Sequence, residues 1–299
     1  VIAIDDRSLR EVGRWPWPRS RHARLTERLS EAGATDIFFD FSLVGRTEPG
    51  EDAQLSKAFE TSGRVTLPVS AKFGTPGATK TPDLLPPPIF GEHAELGAIS
   101  VRYNYQNAVW WLDYSLGVGG KNVPTYAAKL ADAEVRSGGY APDYSVDPTT
   151  VPTIAATDVL TGRFDRTVVN GKKVIVGGTT EALGDIYFLP GWGKMGGAYV
   201  HIIGAETLKA GTPVYLGWLP ALLLALVACW AAMRSRSTVT TNIIMAAAGA
   251  TLVLGPTEVT PPIEVLAPAH QTFIRAVQAV LAHMGMKAVD EAPRGALEG

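Results

Sequence analysis

VIAIDDRSLREVGRWPWPRSRHARLTERLSEAGATDIFFDF, residues 1–41, is the stretch whose reading decides the fold. It opens on a short apolar run, Val1 to Ile4, that ends at Asp5 and Asp6, and it closes on a second strand, Asp36 to Phe41, with Ile37 to Phe39 between two aspartates. Between the runs, Leu25, Leu29 and Ala32 recur at helical spacing, with Ser20 as the expected N-cap and Gly33 as the stop. Two apolar runs too short for helices, joined by an amphipathic helix, make a β-α-β unit. Strands apolar on both sides belong to a parallel sheet that is covered on both faces.

The pattern continues outward. A second helix is expected from about Asp52, with Leu55, Ala58 and Phe59 on one face, followed by a strand from Val65 to Val69. The proline-rich FGTPGATKTPDLLPPP, residues 73–88, reads as an exposed loop. Ala98 to Tyr105 and Val109 to Leu116 flank Asn107 and read as an antiparallel pair, in which Trp110 and Trp111 place one large ring on each face and one ring at an interface. Helices are expected over Tyr126 to Val135, opened by Pro124, and over Ala155 to Leu160. The last buried strand is Lys173 to Val176. It is followed by the loop GGTTEALGDIYFLPGWGKMGG and a helix from Ala198 to Lys209. Residues 1–213 are therefore expected to form an α/β domain, a mostly parallel sheet sandwiched by helices.

Directly after it comes VYLGWLPALLLALVACWAAM, residues 214–233, with no Asp, Glu, Lys or Arg. About 20 apolar residues at ~1.5 Å each match a hydrocarbon core of ~30 Å, so a transmembrane helix is expected over 214–233. The alternative is a buried core helix. A second, marginal span is expected over 238–255, centred on Ile243 to Leu254, which makes 214–255 a membrane region. Arg234 and Arg236 follow the first span and only Lys209 stands shortly before it, so the charge bias puts residues 1–213 outside the inner (plasma) membrane. Residues 256–299 read as a proline-rich linker, an amphipathic helix carrying Phe273, Val277, Val280, Leu281 and Met284, and a disordered tail. Val1 already lies in an apolar run, so an export signal or first span is expected upstream.

Several chemistries lack support in the sequence. A net charge of −2 with scattered basic residues argues against a nucleic-acid groove. The single cysteine, Cys229, excludes a disulfide framework within the chain, and His22, His93, His201, His270 and His283 show no zinc-ligand spacing. GWGKMGG is not a phosphate loop, and there is no G-x-S-x-G elbow, so neither a cofactor nor a catalytic set is expected.

The positive signal lies at strand ends. Asp5, Asp6, Asp40 and Asp185 all follow predicted parallel strands, where open α/β sheets form their binding crevice. With Arg19 and the strand-end Gly177 and Gly178 they make the candidate ligand site. A carboxylate cluster there is suited either to a hard cation or to accepting hydrogen bonds from a ligand's hydroxyl or amine groups. The competing reading is local: each Asp caps a helix or pairs with Arg14 or Arg19. Trp15 and Trp17 in RWPWPR likewise read either as an aromatic groove or as the rim of a core.

AIDDRSLREVGRWPWPRSRHARLTERLSEAGATDIFFDF near the start, TIAATDVLTGRFDRTVVNGKKVIVGGTTEALGDIYFLP and GGAYVHIIGAETL together resemble the CHASE type two family, the second kind of cyclase/histidine-kinase-associated extracellular sensory domain. The resemblance covers residues 1–213. It implies a non-catalytic input domain of a bacterial receptor, most of whose relatives' ligands are unknown, coupled through membrane helices to an adenylate cyclase, diguanylate cyclase or histidine kinase. The expected partners are the membrane, an envelope or small-molecule ligand and a second copy in a homodimer. This chain departs from the family layout: its second apolar segment is short, a proline-rich stretch stands where a third would lie, and no cyclase, G-G-D-E-F-like or kinase motif follows. The output is thus expected on a removed portion or on a partner. NAVWWLDYSLGVGG also lacks the acidic, Gly-containing bend the family suggests. An extracytoplasmic enzyme using a carboxylate-lined crevice and a ligand-free membrane scaffold are the other two classes.

Overall fold

The computed structural model describes residues 1–70, 84–104, 107–213, 219–235 and 237–242. It divides into two units, Val1–Leu216 and Gly217–Gly299. In the first unit the chain runs β1 (Ile2–Ile4), α1 (Asp6–Val12), α2 (Arg19–Glu31), β2 (Asp36–Asp40), α3 (Pro49–Ser62), β3 (Val65–Val69), α4 (Pro88–Gly91) and β4 (Glu95–Ala98). It continues through β5 (Leu112–Asp113), β6 (Ser115–Val118), β7 (Lys121–Pro124), α5 (Tyr126–Leu130), β8 (Gly139–Tyr140), β9 (Ile154–Ala155) and α6 (Ala156–Thr161). It closes with β10 (Lys173–Gly178), β11 (Ile186–Leu189), β12 (Gly193–Gly196) and α7 (Gly197–Ala210).

Six strands form one sheet in the order β4-β3-β2-β10-β1-β9, and every neighbouring pair is parallel. The last strand of the sheet, β10, is thus inserted between the first two. Alternation along the strands sorts the core into two faces. Ile2, Ile4, Ile37, Phe39, Val174 and Val176 meet Leu25 and Leu29 of α2, Leu55 and Phe59 of α3 and Val159 of α6. Phe38 and Ile175 point the other way, to Tyr126 and Leu130 of α5 and Ala198 and Ala205 of α7. The sheet is covered on both faces, as its apolar strands require.

α7 is buried on more than one side. Beyond the sheet, its Val200 and Ile203 pack with Val109, Leu112, Tyr114, Tyr140 and Leu189. Gly204 allows this, because a Cβ there would meet Leu112 Cδ1 at 2.5 Å and the Tyr140 hydroxyl at 2.9 Å.

The structure corrects several local expectations. Ala98 ends a strand parallel to β3, and Leu112–Asp113 pairs with β8, so among the described residues the expected antiparallel pairing is reduced to an isolated Arg102–Trp111 bridge and an Asn104 N–H bond to the Ala108 carbonyl. Pro124 closes the β6–β7 hairpin rather than opening a helix. α5 starts after Thr125, whose side chain accepts from the Ala128 N–H, and it stops at Leu130. The α2 N-cap is Pro18, not Ser20, whose N–H donates to Glu51. The loop after β10 contains the β11–β12 hairpin, and α1 is an additional helix. Trp17 is buried with its indole N–H on the Gly13 carbonyl, and Trp15 packs edge-on against Trp17 and Phe41, so both belong to the core.

In the second unit, α8 (Leu219–Arg234) is 16 residues long. At ~1.5 Å per residue it rises about 24 Å, less than a hydrocarbon core. Among the described residues no helix is long and apolar enough to cross a membrane. Residues 214–218 of the expected first span, 243–255 of the expected second span over 238–255, the linker and helix over 256–299 and residues 73–83 of the 73–88 loop lie outside the described residues.

Candidate functional site

Of the residues marked by the strand-end pattern, the structure brings together Asp40, Asp185 and Gly177. Asp40 ends β2, one step beyond Phe39, so it shares the side of the sheet occupied by Phe38 and faces α7. It is only 6% exposed. Asp185 precedes β11 and accepts the Gly197 N–H on its main-chain carbonyl, 3.0 Å away, which ties it to the first residue of α7. Two glycines permit this closeness. A Cβ on Gly177 would lie 3.2 Å from that of Asp40 and 3.3 Å from that of Ala198, and a Cβ on Gly197 would sit 2.5 Å from Asp185 Oδ2.

Two further groups, absent from the expected site, complete the cluster. His201, one turn into α7, places Nε2 3.5 Å from Asp40 Oδ1 and is itself buried. Tyr126 at the start of α5 packs tilted against the His201 ring, with centroids 5.4 Å apart, and directs its hydroxyl at the Phe39 and Thr66 carbonyls, 2.8 and 3.2 Å away. Nothing in local spacing marks His201 as a ligand. The one available signal is a histidine in AYVHII, a helix segment otherwise apolar on every side.

The electrostatics follow from burial. Asp185 is pushed up to about 7, first by desolvation and then by the Asp40 charge, while His201 and the Gly197 N–H pull the other way. Burial raises the Tyr126 hydroxyl well above its usual value, and the Asp40 charge adds to this. Tyr187 of β11 is raised by burial, then by Asp185 and Asp40. Asp40 Oδ2 is buried with no hydrogen-bond partner among the described residues. Neither carboxylate has a lysine or arginine ion-pair partner there.

The other expected residues are placed elsewhere. Asp5 is the N-cap of α1, accepting the Ser8 N–H at 2.7 Å. Asp6 accepts from the Thr180 hydroxyl. Arg19 begins α2 on the opposite side of the sheet, where it donates to the Val44 carbonyl at 3.0 Å and lies 3.9 Å from Asp52. Gly178, one step beyond Gly177, abuts Leu183 on that opposite side. Among the described residues no group of His, Cys, Asp and Glu is placed to hold a metal ion. A separate cleft of about 340 Å³, lined by Tyr114, Glu134, Arg136, Leu208 and Thr212, adjoins the last turn of α7.

The parallel sheet thus sets two carboxylates, Asp40 and Asp185, against the first turn of one helix, α7. The CHASE2 domain family model matches residues 1–234, and the chain belongs to that family. CHASE2 is a sensory, non-catalytic domain of signalling receptors, found on the extracellular side of membrane receptors. No curated protein and no solved structure matches the chain.

Proposed function

We propose that residues 1–213 are the extracytoplasmic input domain of a bacterial inner-membrane receptor, and that a signal taken up around Asp40 and Asp185 acts by shifting α7. The observation that carries this reading is the convergence of β2, β10 and the segment before β11 on the first turn of one helix. α7 is buried on several sides, so its repacking is a choice between discrete arrangements rather than a gradual drift. Its last residue, Ala210, is separated by only three residues from the apolar segment beginning at Val214.

In this reading residues 214–233 tether the domain to the bilayer, with Arg234 and Arg236 on the cytoplasmic side. Leu223, Leu226, Val227, Trp230 and Met233 are exposed on α8, which suits a lipid surrounding better than water. The output is an adenylate cyclase, diguanylate cyclase or histidine kinase, in the same polypeptide or on a partner, and the receptor works as a homodimer. The test is a fusion of the chain to a reporter cyclase. Asp40→Asn and Asp185→Asn are expected to change its basal output at least about fivefold, the lower end of the coupling energies that link sites in allosteric proteins. Unchanged output in both variants, with normal membrane levels, refutes the reading.

A further inference from the structure

The groups facing the Asp40–Asp185 pair come from every element around it: His201 from α7, Tyr126 from α5, and Tyr187 from β11. All but His201 are acids, and among the described residues no lysine or arginine pairs with either carboxylate. Asp40 is buried and Asp185 partly so, and two neighbouring carboxylates with this little access to water do not both ionise without a cost, which a single proton removes. Space also selects the ligand. A methyl group on Gly197 would already collide with Asp185 Oδ2, and one on Gly177 would press on Asp40, so a bulky cation has no room at this point.

We infer that the signal taken up here is the proton itself: one proton held by the Asp40–Asp185 pair keeps the first turn of α7 seated on the sheet, and its loss lets that turn lift. A protonated Asp185 gains an O–H donor, and the buried Oδ2 of Asp40 is an acceptor without a partner. A carboxyl raised by burial binds its proton more tightly in the seated arrangement than in an open one. Seating is therefore fully favoured below the ordinary carboxyl value of 3.8 and loses that advantage as pH rises through about 7. Each pH unit in that window shifts the balance by up to about tenfold.

This inference rests on α7 as the responding element, and the experiment separates the two. The full chain, in nanodiscs and with aspartate carboxyl carbons labelled, is titrated by NMR from about pH 4 to about pH 9, alongside amide exchange of residues 198–203 corrected for intrinsic rates. One carboxyl midpoint near 7 is expected, absent in Asp185→Asn. It should move down in Asp40→Asn and up in His201→Gln, since His201 opposes the rise. Exchange in α7 is expected to increase about tenfold across the midpoint in the parent chain and to stay flat in Asp185→Asn. If Asp185→Asn fails to fold, the opposite signs of the Asp40→Asn and His201→Gln shifts carry the test. Aspartates that all titrate in the ordinary range, or an α7 indifferent to pH, overturn the proton inference. If the reporter fusion still responds to Asp40→Asn in that case, α7 remains the responding element and the signal is something else. Should the fusion be silent as well, both fall.

Discussion

The two faces of the central sheet handle charge in opposite ways. On the α2–α3–α6 face the carboxylate is settled: Asp52 has Arg19 3.9 Å away and accepts from the Thr47 N–H and hydroxyl at 2.9 and 2.7 Å, although Arg19 Nε and His22 Nδ1 are buried there without a hydrogen-bond partner among the described residues. His22, deep on that side, is held neutral with its pKa lowered to about 3, chiefly by burial and then by Arg19. On the α5–α7 face two carboxylates share one neighbourhood without a lysine or arginine partner among the described residues. The first arrangement secures the fold. The second leaves Asp185, its proton affinity raised by burial and by the Asp40 charge, beside α7, the helix proposed above to carry the signal.

The comparison breaks most visibly if the settled face is disturbed. Phe39→Ala, which removes a fully buried ring packed against Phe59, is expected to cost about 3–5 kcal/mol of unfolding free energy, read by urea denaturation. A loss under ~1 kcal/mol would mean that this face is not the structural one. Tyr126→Phe, on the responsive face, takes away the hydroxyl that serves the Phe39 and Thr66 carbonyls and should cost about 1–3 kcal/mol, with little pH dependence. Asp185→Asn sharpens the contrast by its sign. It relieves the buried charge, so stability above neutral pH should rise by about 1–2 kcal/mol, and the decline of the parent chain between about pH 4 and about pH 7 should flatten. Thermal melts across that range decide it. Asp5→Ala removes only a helix cap and is expected to cost about 1 kcal/mol while leaving reporter output as in the parent fusion. A large change in output would return Asp5 to the site.

Much of the sheet was readable from residues 1–69, because strands such as Ile37–Phe39 and Val65–Val69 are apolar on both sides and the intervening helices keep their period. The middle was harder. Strands of two to four residues, such as β5, β8 and the β11–β12 hairpin, are set by long-range pairing and by glycine turns, which local pattern does not rank. The position of β10 between β2 and β1 was equally invisible to a reading that runs along the chain.

Of the candidate residues, the strand-end rule singled out three that the structure brings together, Asp40, Asp185 and Gly177, because it is a rule about topology. It also collected Asp5, whose cap geometry is local, and Arg19, which the alternation of side chains puts behind the sheet. His201 escaped because the histidines were weighed only for metal-ligand spacing, and Tyr126 because a lone tyrosine in a short helix carries no spacing at all.

The central placement of β10 has a consequence for biogenesis. Until residues 173–178 have left the ribosome or the export channel, β1 and β2 have no strand between them, and the early part of the chain offers two half-sheets with open edges. Closure must wait for a segment made late, so folding is dominated by distant pairings and is slow by that measure. The same late strand leads within a few residues to Asp185 and then to α7. A molecule assembled in this order cannot present its responsive helix before the sheet beneath it is whole.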